Sequence, residues 1–391
     1  MSRMRARESE CFHSNRDRKM RIEPRDTILI GDPRSAISEG QSTKDENQQP
    51  ATPMPSPTIV EVAGRSLSLT NLDKVLYPAT GFTKGQVIDY AIRIAPVLIP
   101  HLKGRPLTMK RYPGGVNEEY FFEKNAPKHR PDWVQTTPVW SGGNNRTMHY
   151  LMGNDLPTLV WIANLASIEL HPSLSLGKAI ETPTMIVFDL DPGPPANIVQ
   201  CCQVGLWVRE IFDHFNLKSF AKTSGSKGMQ VYIPLNTKTS YDETKAFANA
   251  IARLLEDQHR DLVVSDMKKA IRTNKVFVDW SQNDQHKTTI SVYSLRAREH
   301  PTVSTPVTWE EVEAALKKKD ANLLVFESKD VLARVEKMGD LFAEVQTLKQ
   351  KLPNLSGLEA EASEEKPAPK SETAKSKKTT ASARATTKRR R

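Results

Sequence analysis

Thr184-Met185-Ile186-Val187-Phe188-Asp189-Leu190-Asp191-Pro192-Gly193 is the stretch on which the fold turns. Its apolar, β-branched run is bounded by Pro183 and by Pro192-Gly193, and it reads as a buried strand. A strand has a side-chain period of two, so Asp189 and Asp191 leave the same face. Two like charges beside an apolar strand repel unless a cation lies between them. Paired carboxylate oxygens suit Mg²⁺ or Mn²⁺. A third candidate, Asp279, ends the β-branched run Lys275-Val276-Phe277-Val278-Asp279-Trp280. Three carboxylates on strand ends suit two-metal phosphoryl transfer, in which one ion activates a hydroxyl and the other steadies the leaving pyrophosphate. The plainer reading of Asp-x-Asp before Pro-Gly is a strand end that opens a turn.

Outward from this strand, helical and strand signals interleave. Thr83 reads as the N-cap of a helix whose stripe is Val87, Ile88, Ala91, Ile92, Ala95 and Leu98. Pro106–Tyr112 reads as a strand ending at Pro113-Gly114-Gly115, and Leu156–Leu170 as a helix. Ile198–Phe215 and Tyr241–Asp257 read as helices, and Gln230–Pro234 and Val276–Trp280 as strands. Thr308–Lys319 reads as a helix opened by a Thr308/Glu311 capping box. The fold class is therefore mixed α/β (α+β).

Several cations and polar groups are candidates for gripping phosphate. Thr223-Ser224-Gly225-Ser226-Lys227-Gly228 offers two glycines for close anion approach, with a hydroxyl and a charge from Ser224 and Lys227. It does not satisfy GxxxxGK[ST], and as a bare string it is more often a polar loop. Lys110 and Arg111 are adjacent strand residues, so only one of them faces a given site unless the chain bends. Lys269 and Arg272 also read as a solvated helix face. His171 beside Glu169 is more often structural than catalytic.

The chain has 391 residues, a formal charge of +10 and a mean hydropathy of −0.52. No apolar run approaches the roughly 20 residues that a membrane span needs, and the N-terminal stretch lacks the apolar core of a secretory signal. Three cysteines, Cys11, Cys201 and Cys202, make no disulfide framework. A reducing, cytoplasmic, nucleoid-associated protein is expected. Residues 1–57 carry a net +1 and are rich in Ser, Gln, Asn and Pro, reading as a disordered leader. Residues 361–391 carry +6 and lack aromatics; the basic tail is placed at 353–391. The remainder carries only +3. Most of the excess charge therefore lies outside the expected fold at 58–352, where it adds salt-dependent attraction to phosphates.

Nine strings occur in a fixed order: NLDKVLYP, KRYPGG, EYFFEK, ELHP, VFDLDPG, TSGSKG, KVFVDWSQN, KTTISVYSLR and REHPTV. Together they resemble the polymerase domain of bacterial ATP-dependent ligase D, the non-homologous end-joining member of the archaeo-eukaryotic primase superfamily. The resemblance runs over about residues 59–350. It implies a primase-like fold with an RRM-like catalytic sheet and a smaller second lobe. It implies metal binding by Asp189, Asp191 and Asp279, with two Mn²⁺ or Mg²⁺ ions. It places Lys110, His171, Ser224, Lys227 and Arg272 around an incoming nucleoside triphosphate, with Arg111 beside Lys110 in the cleft. Phe121 and Phe122 match aromatics that meet template bases, which agrees with the physics of stacking, although core packing is expected for one of the two. Asn71, Lys74 and Lys84 match a pocket for the 5′-phosphate of a gapped or broken DNA end; read as residues alone, Lys74 and Lys84 are surface lysines. The implied partners are such DNA, a Ku-type end-binding protein and a separate DNA ligase, because about 40 residues beyond 350 hold neither a ligase nor a nuclease module.

The chain departs from the resemblance at Gln230, where the superfamily often has His. A Gln side chain cannot become cationic, which puts phosphate contact there in doubt. The leading expectation is a DNA-repair polymerase that adds NTPs as well as dNTPs to 3′ ends. Its rivals are a primase that starts chains de novo, a non-catalytic end-bridging module and a metal-dependent phosphatase. The phosphatase explains none of the other strings.

Overall fold

The structure is a computed structural model and describes residues 57–353. Apart from their boundary residues, the expected leader and basic tail lie outside the described residues. The elements run β1 (Thr58–Val62), β2 (Arg65–Leu69), β3 (Val75–Tyr77), β4 (Phe82–Thr83), α1 (Lys84–Leu102), β5 (Leu107–Arg111), β6 (Phe121–Glu123), β7 (Thr136–Ser141) and β8 (Arg146–Leu151). They continue through α2 (Leu156–Asn164), β9 (Ser167–Pro172), β10 (Met185–Pro192), α3 (Ile198–His214), β11 (Phe220–Thr223), β12 (Met229–Pro234) and α4 (Tyr241–Gln258). The last are β13 (Val263–Val264), β14 (Val276–Asp279), β15 (Pro306–Val307), α5 (Trp309–Lys318) and α6 (Ser328–Met338).

Local chemistry sets most of these boundaries. Thr83 caps α1 in a reciprocal box with Gln86, and Thr308 caps α5 in the expected box with Glu311. Asn197 with Gln200 and Ser240 with Glu243 open α3 and α4 in the same way. The expected helix over Leu156–Leu170 is corrected: α2 stops at Asn164, Ala166 takes a left-handed φ of 56°, and the chain leaves as strand β9. Ile168 and Leu170 are buried and alternate with Glu169 and His171, so the same apolar residues satisfy a period of two.

Two sheets carry the candidate site. The larger has the order β13-β14-β10-β12-β11-β15 and is antiparallel except for β13 with β14. The other has the order β6-β5-β8-β7, with β9 also paired to β5. Phe188 of β10 meets Phe212 of α3 at 5.7 Å between ring centroids, and Phe212 meets Phe247 of α4 at 6.0 Å. Helices α3 and α4 thus cover the Phe188 face of the larger sheet. Asp189 and Asp191 leave from the opposite face. Among the described residues, no helix is long and apolar enough to cross a membrane.

Candidate active site

The central strand β10 delivers the carboxylates. Asp189 stands directly opposite Asp279 of β14, and Asp191 opposite Phe277. Burial and then the charge of Asp191 push the Asp189 carboxyl up to about 7, with Asp279 adding to the rise. Asp191 is raised by burial and by Asp279, while Arg272, Arg296 and Lys227 oppose the shift. These are hard oxygen donors whose charges are poorly compensated, and a divalent cation is what such a set accommodates. The carboxylates are neighbours by register but are not gathered around one point. Asp279 Oδ1 accepts from the Ser281 amide at 2.9 Å and from its hydroxyl, and Oδ2 accepts from Gln282 Nε2 at 3.2 Å. Among the described residues, no group of three or more His, Cys, Asp and Glu converges to hold a metal ion. The donor set therefore fits a divalent ion in composition, with Asp279 engaged in its own turn.

Two glycines explain how the flanking loops approach β10. A Cβ on Gly228 would stand 2.0 Å from the Leu190 carbonyl oxygen, and one on Gly193 would stand 1.9 Å from that of Arg272. The close approach required of Gly228 is to β10 itself, whereas the sequence alone suggested an anion. The Ser224 hydroxyl accepts from the Ser226 and Gly228 amides, both at 3.2 Å, and so closes its own loop. Lys227 is exposed. Arg272 lies at the end of a short 3-10 turn over Lys269–Ile271 rather than on a solvated helix face. Its guanidinium rests 3.6 Å from the centre of the Phe277 ring, whose cross-strand neighbour is Asp191.

Glu169 and His171 of β9 sit on one face of their strand. The His171 Nε2 to Glu169 Oε2 distance is 3.0 Å, and Lys110 Nζ lies 3.9 Å from the same oxygen. Arg296 Nε donates to Glu169 Oε1 at 3.2 Å, and its Nη1 donates to the Ser224 carbonyl. Arg296 thus ties the smaller sheet to the loop after β11. Burial alone would raise the Glu169 carboxyl, but the His171 hydrogen bond and the Arg296, His171 and Lys110 charges bring it down to about 2. Burial lowers His171, against the pull of Glu169. Sequence reasoning missed Arg296. It ends the string KTTISVYSLR, but it lies in an irregular segment where no periodicity marks a residue.

Lys110 and Arg111 go to opposite sides of β5, as their adjacency requires. Lys110 faces Glu169 and lies 3.9 Å from the Tyr120 ring centre. Arg111 pairs with Glu123 at 2.9 Å and donates to the Leu165 carbonyl. Cross-strand, Lys110 opposes Phe122 and Arg111 opposes Phe121. The expectation that one phenylalanine packs in the core is corrected: Phe121 is 44% and Phe122 55% exposed. Among the described residues, β6 is a three-residue edge strand paired only to β5, and both rings remain largely open to solvent. Phe122 meets His171 at 6.1 Å, while the Arg111 guanidinium lies 5.1 Å from the Phe121 ring centre.

A second cationic group gathers at the start of α1. Asn71 adopts a left-handed φ of 53°, its carbonyl accepts from the Lys74 amide, and the Lys74 carbonyl accepts from the Lys84 amide. The surface reading of Lys84 is corrected: it is 5% exposed and donates to the Thr70 carbonyl at 2.6 Å. Lys74 is exposed. Burial first, then repulsion from Lys74 and Arg111, brings the Lys84 ammonium down to about 8. Lys74, Lys84 and Arg111, the last already paired with Glu123, thus lie near one another at the start of α1, an arrangement whose charge suits an anion.

Residues 83–342 match the LigD primase-polymerase domain family. The chain belongs to that family. The LigD match contains every candidate site residue except Asn71 and Lys74, which precede it. The chain is 43% identical over 277 residues to the multifunctional non-homologous end joining protein LigD of Mycolicibacterium smegmatis, covering 70% of this chain and 35% of that one. It is 33% identical over 274 residues to the bifunctional LigD of Bacillus subtilis, covering 70% and 43%. It therefore spans well under half the length of these LigD relatives. Among solved structures, the polymerase domain of Mycobacterium tuberculosis ligase D in complex with DNA aligns with a TM-score of 0.67 at 38% identity, covering 73% of this chain and 99% of that one. The LigD polymerase-domain fold and the mixed α/β architecture expected from sequence agree.

Proposed function

We propose that this LigD-family chain is a template-dependent nucleotidyltransferase that adds nucleotides, NTPs as well as dNTPs, to 3′ ends at gaps and double-strand breaks in non-homologous end joining. The observation that carries the reading is the register of Asp189 against Asp279, with Asp191 on the same face as Asp189. Asp189, Asp191 and Asp279 would hold two Mn²⁺ or Mg²⁺ ions, which supply charge stabilisation at the reacting phosphate and acidify the attacking 3′-hydroxyl.

The chain's own groups divide the remaining work. Arg296, Lys227 and Arg272 border Asp191 with positive charge, Lys110 stands with Arg296 at Glu169, and together they suit a triphosphate. Arg296 and His171 share Glu169, which fixes both side chains before substrate arrives. Ser224 shapes the loop that carries Lys227. Phe121 and Phe122 offer exposed rings for stacking on unpaired template bases. Asn71, Lys74, Lys84 and Arg111 form the seat for a 5′-phosphate, which would direct the enzyme to gaps and processed breaks. The M. tuberculosis neighbour is titled as a DNA complex, which supports a DNA substrate. A Ku-type end-binding protein and a DNA ligase are the proposed partners, in the cytoplasm.

The test is primer extension on a gapped, 5′-phosphorylated duplex with NTPs and dNTPs, with and without Mn²⁺. Metal-dependent, template-directed addition is expected. Dinucleotide synthesis on unprimed template would favour the primase reading, and DNA binding without any addition would favour the bridging module.

A further inference from the structure

One row of directly opposed residues crosses the larger sheet: Lys222 on β11, Gln230 on β12, Asp189 on β10 and Asp279 on β14. Opposed residues in antiparallel strands share a face, with side chains about 5 Å apart. Lys222 and Gln230 are both buried, so the row runs from the interior of the sheet to the carboxylates.

Two hydroxyls hold the Gln230 amide, and the acceptor-only carboxylate of Asp189 opposite it favours the nitrogen on its side. Gln230 Oε1 accepts from the Tyr232 hydroxyl at 3.2 Å, and Nε2 donates to Thr289 Oγ1 at 3.0 Å. Asp189 stands directly opposite Gln230 across the β10–β12 ladder, within reach of the remaining amide hydrogen, and Gln230 draws the Asp189 carboxyl down against the effect of burial. Tyr232 is held in turn: its ring packs edge-on against Phe342 at 5.4 Å, and Lys222 Nζ lies 5.5 Å from its centre. Lys222 Nζ donates to Ser304 Oγ at 2.7 Å, which closes the far end of the row. Both polar atoms of the amide are thereby engaged, and a buried polar network of this kind holds its members in place.

We infer that Gln230 is a positioning residue for Asp189: its oriented amide holds one side of the carboxylate and leaves the other free for a divalent cation. Partners behind a metal ligand act in this way, and their removal costs 10–100-fold in metal affinity. The Gln for His departure at this position thereby takes on a different meaning. A neutral amide gives Asp189 a donor whose charge does not change with pH, and its side chain belongs to the floor of the sheet rather than to the loop over which phosphate would lie. The inference rests on Asp189 being a metal ligand.

The test is Mn²⁺ binding to the nucleotide-free protein by electron paramagnetic resonance, with thermal melting alongside. Gln230→Leu is expected to bind Mn²⁺ 10–100-fold more weakly, and Gln230→His, which keeps a donor, to recover most of that loss. Tyr232→Phe removes the hydroxyl that anchors the amide oxygen while keeping the ring, and is expected to weaken Mn²⁺ binding with little change in melting. It remains informative if the leucine variant does not fold. Parent-like Mn²⁺ affinity in folded Gln230→Leu, or in Tyr232→Phe if the leucine variant fails to fold, would overturn the inference. So would weakened binding that tracks melting temperature alone. Asp189→Asn separates the two readings. If that variant still binds Mn²⁺ like the parent, the metal assignment fails; if it loses Mn²⁺ while Gln230→Leu keeps it, only the role of Gln230 fails.

Discussion

Asp189 and Asp279 face each other across the β10–β14 ladder, yet only Asp279 is held by its own turn, through Ser281 and Gln282. Asp189 is left with a carboxyl pushed up to about 7 by burial and by Asp191. The site is built at the expense of apo stability. Asp189→Asn is expected to melt no lower than the parent in EDTA, because it removes one of the crowded charges. Nucleotide addition should fall on the order of 10³-fold, since a bound metal is worth several kcal/mol of transition-state stabilisation and about 1.4 kcal/mol is tenfold. Scanning fluorimetry and gap-filling assays check the two halves separately. Parent-rate extension would refute the assignment.

Recognition of the 5′-phosphate should depend on pH through Lys84. Its ammonium is charged below about 8 and neutral above. A phosphate monoester is a dianion above about pH 6. Preference for a 5′-phosphate over a 5′-hydroxyl should therefore be greatest between these values and decline toward pH 9. Lys84→Arg, charged throughout, should flatten the alkaline decline, and Lys84→Ala should lower the preference at every pH. Fluorescence anisotropy on matched DNA ends measures it. A parent whose preference is unchanged at pH 9 would contradict this role.

The two phenylalanines should separate by function because they leave opposite sides of β6. Each exposed ring that stacks on a base contributes about 1–3 kcal/mol. Phe122→Ala, beside Lys110 and His171, should raise the KM for templated nucleotide addition. Phe121→Ala, beside Arg111, should weaken binding of the gapped duplex. Neither should destabilise the fold, since both rings are exposed. Melting curves and steady-state kinetics test the split, and a loss of several degrees in either variant would indicate core packing after all.

Glu169 should contribute an acid-sensitive share of stability. Its folded-state carboxyl lies at about 2 against an ordinary 4.5, so the stabilisation is complete above about pH 4.5 and is lost as pH falls toward 2. The shift corresponds to a contribution on the order of 3 kcal/mol. Glu169→Gln should be less stable than the parent at pH 6, with a shallower fall in urea midpoint between pH 5 and 3. Equal slopes for the two proteins would show that Glu169 is not the group involved.

The caps of α1 and α5, the strand at β10 and the shared face of Asp189 and Asp191 could be read locally, because a capping box and a period of two are properties of consecutive residues. The helix reading failed at 165–170 for the same reason: Leu170 fits the helical stripe of Leu159, Ile162, Ala163 and Ala166 as well as a period of two with Ile168, and pairing of β9 with β5 selects the strand. Family strings placed Lys74, Lys84 and Asn71 together, and chain proximity brought them to one helix start. Arg296 escaped notice because its importance lies in Glu169, 127 residues away, and in the Ser224 carbonyl.

By itself the sequence determined the α/β class, the order of the main elements and the carboxylates to be presented, since these follow from periodicity, caps and strings within short windows. Tertiary structure alone decided that Asp279 lies opposite Asp189, that Lys110 and Arg111 serve different sides of one strand, that both Phe121 and Phe122 are exposed, and that Gln230 belongs beneath the carboxylates. Each of those facts depends on which strand lies beside which. Strand neighbours are chosen by the packing of the whole sheet against α3 and α4, and no short window of sequence contains that choice.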